Sequence, residues 1–333
     1  MKILVTGAAG FIGSHTAVSL SREGHIVLGV DNYSDYYSPK LKKMRSSELL
    51  GKSGIKLENL DLTDRKATEN LVANFQPDTV IHLAAQAGVR LTVEESYKYV
   101  DSNLSAFSNI LISVIKNKIP NFLYASSSSV YGDFSRIPYS ENETNLIPNS
   151  FYGATKIANE LLAASLSKDS ATKTRGLRFF TVYGPWGRPD MAYFRLVGNA
   201  IANAPFTLFG DGSIERDFTY IDDAVSSISA LCQELNHREA GFSDVVNIGG
   251  GHPLSMKYLQ KLISEITGKR LQITETLSNR NDVLRTMADD SYLRSLIGKA
   301  PTIALDQGIN DFVNWAKLPT IKNELTEWIK SVR

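Results

Sequence analysis

Two residues on one predicted helix have the types and spacing needed for proton transfer. Tyr152 and Lys156 stand four positions apart in YGATK, and positions four apart share one face of an α-helix. A neighbouring ammonium group favours the phenolate form of a tyrosine, so this pair can supply a general base. A surface pair on a helix has the same spacing, and it is the alternative interpretation.

Hydroxyl groups cluster upstream of this helix, where an apolar run ends in four consecutive serines, ASSSSVYG. Ligands of nucleotide-binding sheets gather at the carboxyl ends of the strands. A serine at such an end can share a substrate proton with Tyr152. Turn and capping roles are the alternative for a serine run.

Three glycines follow the first apolar run in the pattern G-x-x-G-x-x-G. Gly7, Gly10 and Gly13 permit a tight turn and a close approach of a pyrophosphate to the N-terminus of the next helix. Asp31 ends the next apolar run, where a carboxylate can accept hydrogen bonds from an adenosine ribose and repel a 2′-phosphate. The order strand, glycine loop, helix, strand and acid predicts an NAD site.

The elements that must position these residues alternate between strand and helix. Short apolar runs such as KILVT and TVIHLA are separated by segments with helical periodicity. This pattern predicts an α/β fold of the Rossmann type, a doubly wound parallel sheet with helices on both faces. We expect a dinucleotide domain over 1–176, a return to it around 214–248, and a smaller α/β lobe over 177–333 that mainly binds substrate.

Composition excludes several classes of protein. The 333 residues include 36 Lys and Arg against 35 Asp and Glu, so a broad basic field for nucleic acid is absent from the sequence. One cysteine, Cys232, excludes an intramolecular disulfide framework and a cysteine-rich zinc site. We expect no metal, no membrane span, no targeting leader and a cytoplasmic protein. The basic run from Lys40 to Arg45 indicates a solvated helix face or a position near a phosphorylated ligand.

The chain resembles the extended short-chain dehydrogenase/reductase family, and within it the nucleotide-sugar epimerases, most closely the UDP-glucuronate 4-epimerases. The resemblance rests on motifs in order along nearly the whole chain: TGAAGFIG, DNYSDYYSPKLKKMR, HLAAQAGVR, SSSSVYG, YGATK, RFFTVYGPWGRPDMA, GDGSIERDFTYIDD and NDVLRTMAD. It implies NAD as the cofactor and a UDP-sugar as the substrate. It also implies a homodimer formed through a four-helix contact, although burial inside one subunit uses the same helix pattern.

Residue by residue, the resemblance assigns three groups of positions. The cofactor residues are Gly7, Gly10, Phe11, Ile12, Gly13, Asp31, Asn32, Asp61, Leu62, Leu83, Ala84, Ala85, Gln86, Asn103, Tyr152, Lys156 and Tyr183. The catalytic residues are Tyr152, Lys156 and Ser127, with Ser128 or Ser129 able to share the serine role. The substrate residues are Arg90, Thr181, Arg188, Phe206, Phe209, Arg216, Arg280 and Asp282, with Asp217 expected beside Arg216.

The implied reaction is oxidation of UDP-glucuronate at carbon 4, rotation of the 4-keto sugar and reduction on its other face. A ketone β to the sugar carboxylate invites loss of carbon dioxide, so the carboxylate must be held. Thr181 and Arg188 are the candidates for this task. Arg188 has an equally weighted alternative as a loop arginine bound to backbone or phosphate.

Three other functions stay open at this point. A 4-epimerase of UDP-glucose or a UDP-N-acetylhexosamine would make Thr181 and Arg188 incidental. A decarboxylase or dehydratase would share the fold, although dehydratases of the family carry an Asp-Glu pair beside the catalytic threonine, where this chain has serines. A non-catalytic NAD-binding protein is the remaining alternative.

Overall fold

A seven-stranded parallel sheet forms the centre of the computed structural model, which describes residues 1–89, 91–277 and 283–331. The strand order is β10-β6-β5-β4-β1-β2-β3, and every neighbouring pair is parallel. The strands are β1 (Lys2–Thr6), β2 (Ile26–Asp31), β3 (Lys56–Asn59), β4 (Thr79–His82), β5 (Asn121–Ser127), β6 (Lys173–Phe179) and β10 (Ser243–Ile248). This order confirms the predicted Rossmann-type fold.

Helices cover both faces of this sheet because successive residues of each buried strand point to opposite sides. In β1, Ile3 and Val5 belong to one apolar cluster and Leu4 to the other. The covering helices are α1 (Phe11–Arg22), α2 (Pro39–Arg45), α3 (Arg65–Phe75), α4 (Tyr97–Tyr99), α5 (Ala106–Lys116), α6 (Phe151–Ser167) and α8 (Ile221–Leu235). A π-helical stretch, Val100–Ser105, joins α4 to α5.

Two small sheets and five further α-helices lie outside the large sheet and its covering helices. The first sheet pairs β7 (Thr181–Tyr183), β9 (Glu215–Tyr220) and β11 (Pro253–Ser255), and the second pairs β8 (Phe206–Phe209) with β12 (Ile273–Thr276). The helices are α7 (Ala192–Ala202), α9 (Met256–Thr267), α10 (Ser291–Ile297), α11 (Leu305–Ala316) and α12 (Pro319–Lys330). The chain therefore rejoins the large sheet at β10, while the exact division into two domains stays a prediction.

Buried polar side chains connect the two parts. Asp217, fully buried in β9, accepts hydrogen bonds from the backbone amides of Gly250, Gly251 and Ala288 at 2.9 to 3.1 Å. Asn247 in β10 accepts a bond from the Tyr131 hydroxyl at 2.7 Å and donates to the Asp289 carbonyl, just before α10, at 3.3 Å. Asp217 is thus occupied by backbone amides, and the expectation that it contacts a nucleotide is wrong.

Within the described ranges, no helix is both long enough and apolar enough to cross a lipid bilayer.

Candidate active site

A cleft of about 610 Å³ lies along the carboxyl edge of the large sheet and is closed on the other side by the smaller lobe. This volume is typical of small-molecule sites. Most of the predicted site residues line it: Gly7, Gly10, Phe11, Ile12, Gly13, Asp31, Asn32, Asp61, Leu62, Leu83, Ala84, Ala85, Gln86, Ser127, Ser128, Ser129, Tyr152, Lys156, Thr181, Arg188, Phe206, Phe209 and Arg216. Arg90, Arg280 and Asp282 lie outside the described residues.

The glycine loop leaves no room for side chains. Gly7 has a φ of +67°, and a Cβ atom there would lie 2.7 Å from the Ala84 amide nitrogen. A Cβ atom on Gly13 would lie 2.1 Å from the Gly7 carbonyl oxygen. Gly10 caps α1 and contributes no side chain to the first-turn amides, so the helix N-terminus can receive a phosphate group directly.

A fixed carboxylate stands beside this loop. Asp31 is buried at the end of β2, where it accepts bonds from the amides of Ala9 and Tyr33 at 3.0 and 2.8 Å. Asn32 donates to Asp61 at 2.9 Å. Burial alone would raise the pKa of Asp61, but hydrogen bonds from Asn32 and Thr63 outweigh it and lower that pKa. Two charged carboxylates at this edge suit the hydroxyls of an adenosine ribose, and the cradle fits NAD.

Two predicted cofactor residues do not line the cleft. Asn103 is buried behind it, where its Oδ1 accepts from the Gln86 amide at 2.8 Å and its Nδ2 donates to the Thr155 hydroxyl at 3.1 Å. Asn103 therefore holds the cleft wall against α6.

Tyr183 is fully buried in the smaller lobe, and its hydroxyl donates to the Ala304 carbonyl at 3.3 Å. The expectation that Tyr183 contacts the cofactor is wrong, because its ring packs among Tyr193, Phe218 and Tyr220. The preceding positions, Phe179 to Val182, line the cleft in its place.

The start of α6 positions the predicted proton-transfer pair. Ser150 caps this helix by accepting a bond from the Gly153 amide at 3.1 Å. Tyr152 and Lys156 follow on the same helix face, and the Lys156 Nζ lies 5.6 Å from the Tyr152 ring centroid. The Lys156 ammonium group donates to the Ala125 carbonyl at 2.9 Å, which fixes it below the tyrosine.

The charges around Tyr152 differ from the expectation. Burial raises the pKa of Tyr152, and the Arg188 charge and a hydrogen bond with Ser127 oppose this rise without cancelling it. Burial lowers the pKa of Lys156 to about 8, against the opposing charge of Glu160. The phenolate form that the sequence predicted for Tyr152 is therefore not favoured by these groups alone.

The four serines of the run face different neighbours. Ser126 is buried and donates to Glu160 at 2.5 Å, beside a buried ion pair of Glu160 with Arg178. Ser127 contacts Tyr152, and its Oγ also accepts from the Ser129 amide at 3.1 Å. Ser127 is thus the serine in hydrogen-bonding contact with the phenol, while Ser128 and Ser129 line the cleft beside it.

Arg188 brings a positive charge to the cleft wall. Its Nε donates to Asp190 Oδ1 at 3.0 Å and its Nη2 donates to Asp190 Oδ2 at 2.5 Å. Among the described residues, the hydrogen bonds of Arg188 run to Asp190 and not to backbone carbonyls, and a contact with a phosphate stays a prediction. Arg216, at the other wall, donates to the Val283 carbonyl at 2.7 Å and to the Glu215 carbonyl at 2.9 Å.

Two cations of the basic run, Lys42 and Arg45, are buried, whereas the sequence favoured a solvated face. Lys40 is exposed and pairs with Glu324, as a solvated face requires. Lys42 is buried in the cleft wall, and its Nζ donates to the Ser34 carbonyl and hydroxyl at 2.6 and 2.7 Å. Burial lowers the pKa of Lys42 to about 8, with Asp31 opposing the shift.

Arg45 is fully buried, and it donates to the carbonyls of Ala9, Trp186 and Gly187 at 3.3, 2.8 and 2.8 Å. The solvated-face interpretation is therefore wrong for Lys42 and Arg45. Leu41 and Arg45 are four positions apart, and this spacing was the signal for an inward face. Tyr36 and Asp190, also in the cleft wall, had no such signal.

His82 and Cys232 are buried in the core. His82 Nδ1 lies 2.8 Å from the Thr6 hydroxyl, and burial with the Lys156 charge lowers the pKa of His82 to about 3. Cys232 is buried and free. No group of three or more potential metal ligands occurs among residues 1–89, 91–277 and 283–331.

Comparison with known proteins agrees with this geometry. The model of the NAD dependent epimerase/dehydratase family matches residues 3–249. Protein CapI of Staphylococcus aureus is 39% identical over 328 residues, covering 95% of this chain and 98% of the relative. A probable UDP-glucuronate 4-epimerase of Rhizobium meliloti (strain 1021) is 38% identical over 330 residues, covering 95% and 96%.

A solved structure is similar over nearly the whole chain. It is UDP-glucuronic acid 4-epimerase from Bacillus cereus in complex with UDP-glucuronic acid and NAD. Its TM-score is 0.88 at 34% identity, and the match covers 95% of this chain and 99% of that one.

Proposed function

The chain belongs to the NAD dependent epimerase/dehydratase family, and on this premise we propose that its cleft inverts carbon 4 of UDP-glucuronate to give UDP-galacturonate. The protein is an isomerase, an NAD-dependent UDP-sugar 4-epimerase of the glucuronate type. The observation that carries this proposal is the position of Arg188, a cation on the same cleft wall as Tyr152 and its partner Ser127.

Proton transfer falls to Tyr152 and Ser127. NAD held in this cleft would supply the hydride acceptor and donor for carbon 4, so the sugar would undergo no net oxidation. Tyr152 removes the proton of the 4-hydroxyl and later gives it back, and Ser127 shares that proton through its hydrogen bond to the phenol. Lys156, fixed on the Ala125 carbonyl, keeps a cation beside the Tyr152 ring.

The carboxylate of the sugar sets the special demand on this site. In the 4-keto sugar that carboxylate is β to a ketone, and carbon dioxide leaves when the carboxylate is free to turn out of the ring plane. Arg188 can bind it by a charge-assisted pair, and the Thr181 hydroxyl lines the same wall and can donate to it. These two residues therefore favour epimerisation over decarboxylation.

The other end of the sugar nucleotide fits the smaller lobe. Phe206 and Phe209 lie in β8 and line the cleft, where their rings can flank a uracil base. Arg216 lines the same part of the cleft and can neutralise a diphosphate. These assignments stay proposals, and the choice between a uracil and a thymine base rests on the substrate test.

We also propose a homodimer formed through α5 and α6, which pack against each other. Their outer faces expose apolar side chains, of which Leu161 is 67% exposed and Ile112 is 37% exposed. Two such helix pairs bury these faces as a four-helix contact. Leu161→Glu should give a monomer by light scattering.

A cytoplasmic location is a further proposal, supported by the free thiol of Cys232.

The decisive test incubates the purified protein with UDP-glucuronate, without added NAD, and follows the products by NMR. We expect UDP-galacturonate and no pentose product. Parallel incubations with UDP-glucose and UDP-N-acetylglucosamine test the neutral-sugar alternative. Faster turnover of a neutral sugar, or release of carbon dioxide with UDP-xylose, would replace the proposed reaction.

A further inference from the structure

The guanidinium group of Arg188 already binds one carboxylate of its own chain, that of Asp190. Asp190 accepts from both Nε and Nη2, and the two residues line the cleft together. The Tyr36 hydroxyl lies 3.5 Å from Asp190 Oδ2. Burial alone would lower the pKa of Arg188, but the charge and hydrogen bonds of Asp190 outweigh it and raise that pKa. The contact is therefore an ion pair.

The geometry of the pair leaves one edge of the guanidinium for another ligand. An arginine has five N–H donors in one plane, and Asp190 uses the side formed by Nε and Nη2. The end formed by Nη1 and Nη2 can bind a second carboxylate in the bidentate manner. Asp190 and the sugar carboxylate can thus bind the same arginine at once, and they then share one positive charge.

Sharing this charge matters because the intermediate must turn over inside the cleft. The carboxylate has to leave its first position and bind again after the sugar has rotated. A contact that stabilises both bound orientations but not the state between them lowers kcat. An arginine without a counter-charge would hold the carboxylate more firmly and slow this rotation.

We propose that Asp190 is a positioning residue that orients Arg188 and limits how firmly it holds the sugar carboxylate. The inference rests on the proposed function, since it assumes an acidic sugar at Arg188. It assigns a role to a residue that touches the arginine and acts on the substrate through it. The same charge sharing has no effect on a sugar that lacks a carboxylate.

The test compares Asp190→Asn with the wild type, both with retained NAD. The substitution removes the charge and keeps the size and one acceptor oxygen. We expect calorimetry to show about 5-fold tighter binding of UDP-glucuronate and an unchanged Kd for UDP-glucose. The kcat for UDP-glucuronate should fall by about the same factor, so that kcat/KM changes little.

Two further variants separate this effect from a structural one. Asp190→Glu keeps the charge and should restore the wild-type ratio of the two Kd values. Asp169→Asn removes an exposed carboxylate elsewhere and should change nothing. Weaker binding of both sugars by Asp190→Asn, or selectively weaker binding of UDP-glucuronate, would overturn the inference.

The binding ratio also keeps this inference distinct from the proposed function. If the wild type makes UDP-galacturonate and Asp190→Asn leaves the Kd ratio unchanged, the inference alone fails. If the wild type makes no UDP-galacturonate while the ratio shifts as expected, the proposed reaction fails and the charge sharing stands.

Discussion

The two ends of the cleft are built in different ways. At the dinucleotide end, short consecutive segments after β1, β2 and β3 supply a glycine loop and two carboxylates at one sheet edge. At the sugar end, the lining comes from loops and strands of both lobes, from Tyr36 to Arg216. The first end depends on backbone geometry, and the second depends on side chains brought together over long sequence distances. A substitution at the dinucleotide end should therefore have a different consequence from a substitution at the sugar end.

The largest expected effect lies where the two ends meet. Tyr152→Phe removes the hydroxyl that contacts Ser127 and should lower kcat by about 10³-fold. Bound NAD, measured after denaturation of the purified protein, should stay at the wild-type amount. Activity within about 3-fold of the wild type would show that Tyr152 does not transfer the proton, and the proposed chemistry at the sugar end would fail.

A methyl group in the glycine loop should damage the dinucleotide end selectively. In Gly13→Ala the new Cβ lies 2.1 Å from the Gly7 carbonyl oxygen, so backbone must move. We expect about 2–4 kcal/mol of lost stability and loss of retained NAD. Gly24→Ala is the matched control, because nothing lies within 4 Å of a Cβ there and its φ of +84° costs only local strain. Equal damage in both variants would show that crowding is not the cause.

A substitution at the sugar end should instead change the choice of substrate. Arg188→Ala removes the cation of the Asp190 pair, and kcat/KM for UDP-glucuronate should fall about 10²-fold. Turnover of UDP-glucose, where measurable, should change far less, and NAD should stay bound. Equal losses for the two sugars would withdraw the proposed contact between Arg188 and the carboxylate.

The last prediction concerns the dependence of stability on pH at the dinucleotide end, where the effect per pH unit is the smallest of the four. His82 is buried, and its pKa is lowered to about 3 from an ordinary 6.5. Between these values the unfolded chain binds a proton that folded His82 does not. Acid therefore favours unfolding, and stability is lost as the pH falls through this window by about 1.4 kcal/mol per unit.

Urea unfolding at several pH values checks this slope. His82→Gln should have a smaller dependence of stability on pH below about 6.5, whatever its absolute stability. A wild-type slope that the substitution leaves unchanged would show that the pKa of His82 is the same in the folded and unfolded protein.

The same contrast explains how far the sequence alone could predict the site. Glycines, Asp31 and the YGATK pair follow local rules of strand ends and helix faces, so their positions in the cleft could be predicted. Tyr183 could not be excluded, because only the packing of the smaller lobe turns its ring into the core. Asp190 could not be predicted as a site residue, because its role depends on the hydrogen bond that the Arg188 side chain makes to it two residues further along.

Lys42 and Arg45 show an intermediate case. Their charges suggested a solvated face, but the inward spacing with Leu41 was present in the sequence. The sequence could not show which groups Arg45 binds, because it donates to carbonyls that lie 36 to 142 positions away in the chain. Burial of a cation is decided by such distant acceptors, and no local pattern reports them.

Arg45 has one more consequence, for the order in which ligands bind. A single guanidinium group bonds the Ala9 carbonyl of the glycine loop and the Trp186 and Gly187 carbonyls that directly precede Arg188. A shift of the glycine loop would therefore act on the segment that carries Arg188. We expect protein stripped of its dinucleotide to bind the acidic sugar more weakly than protein that retains it.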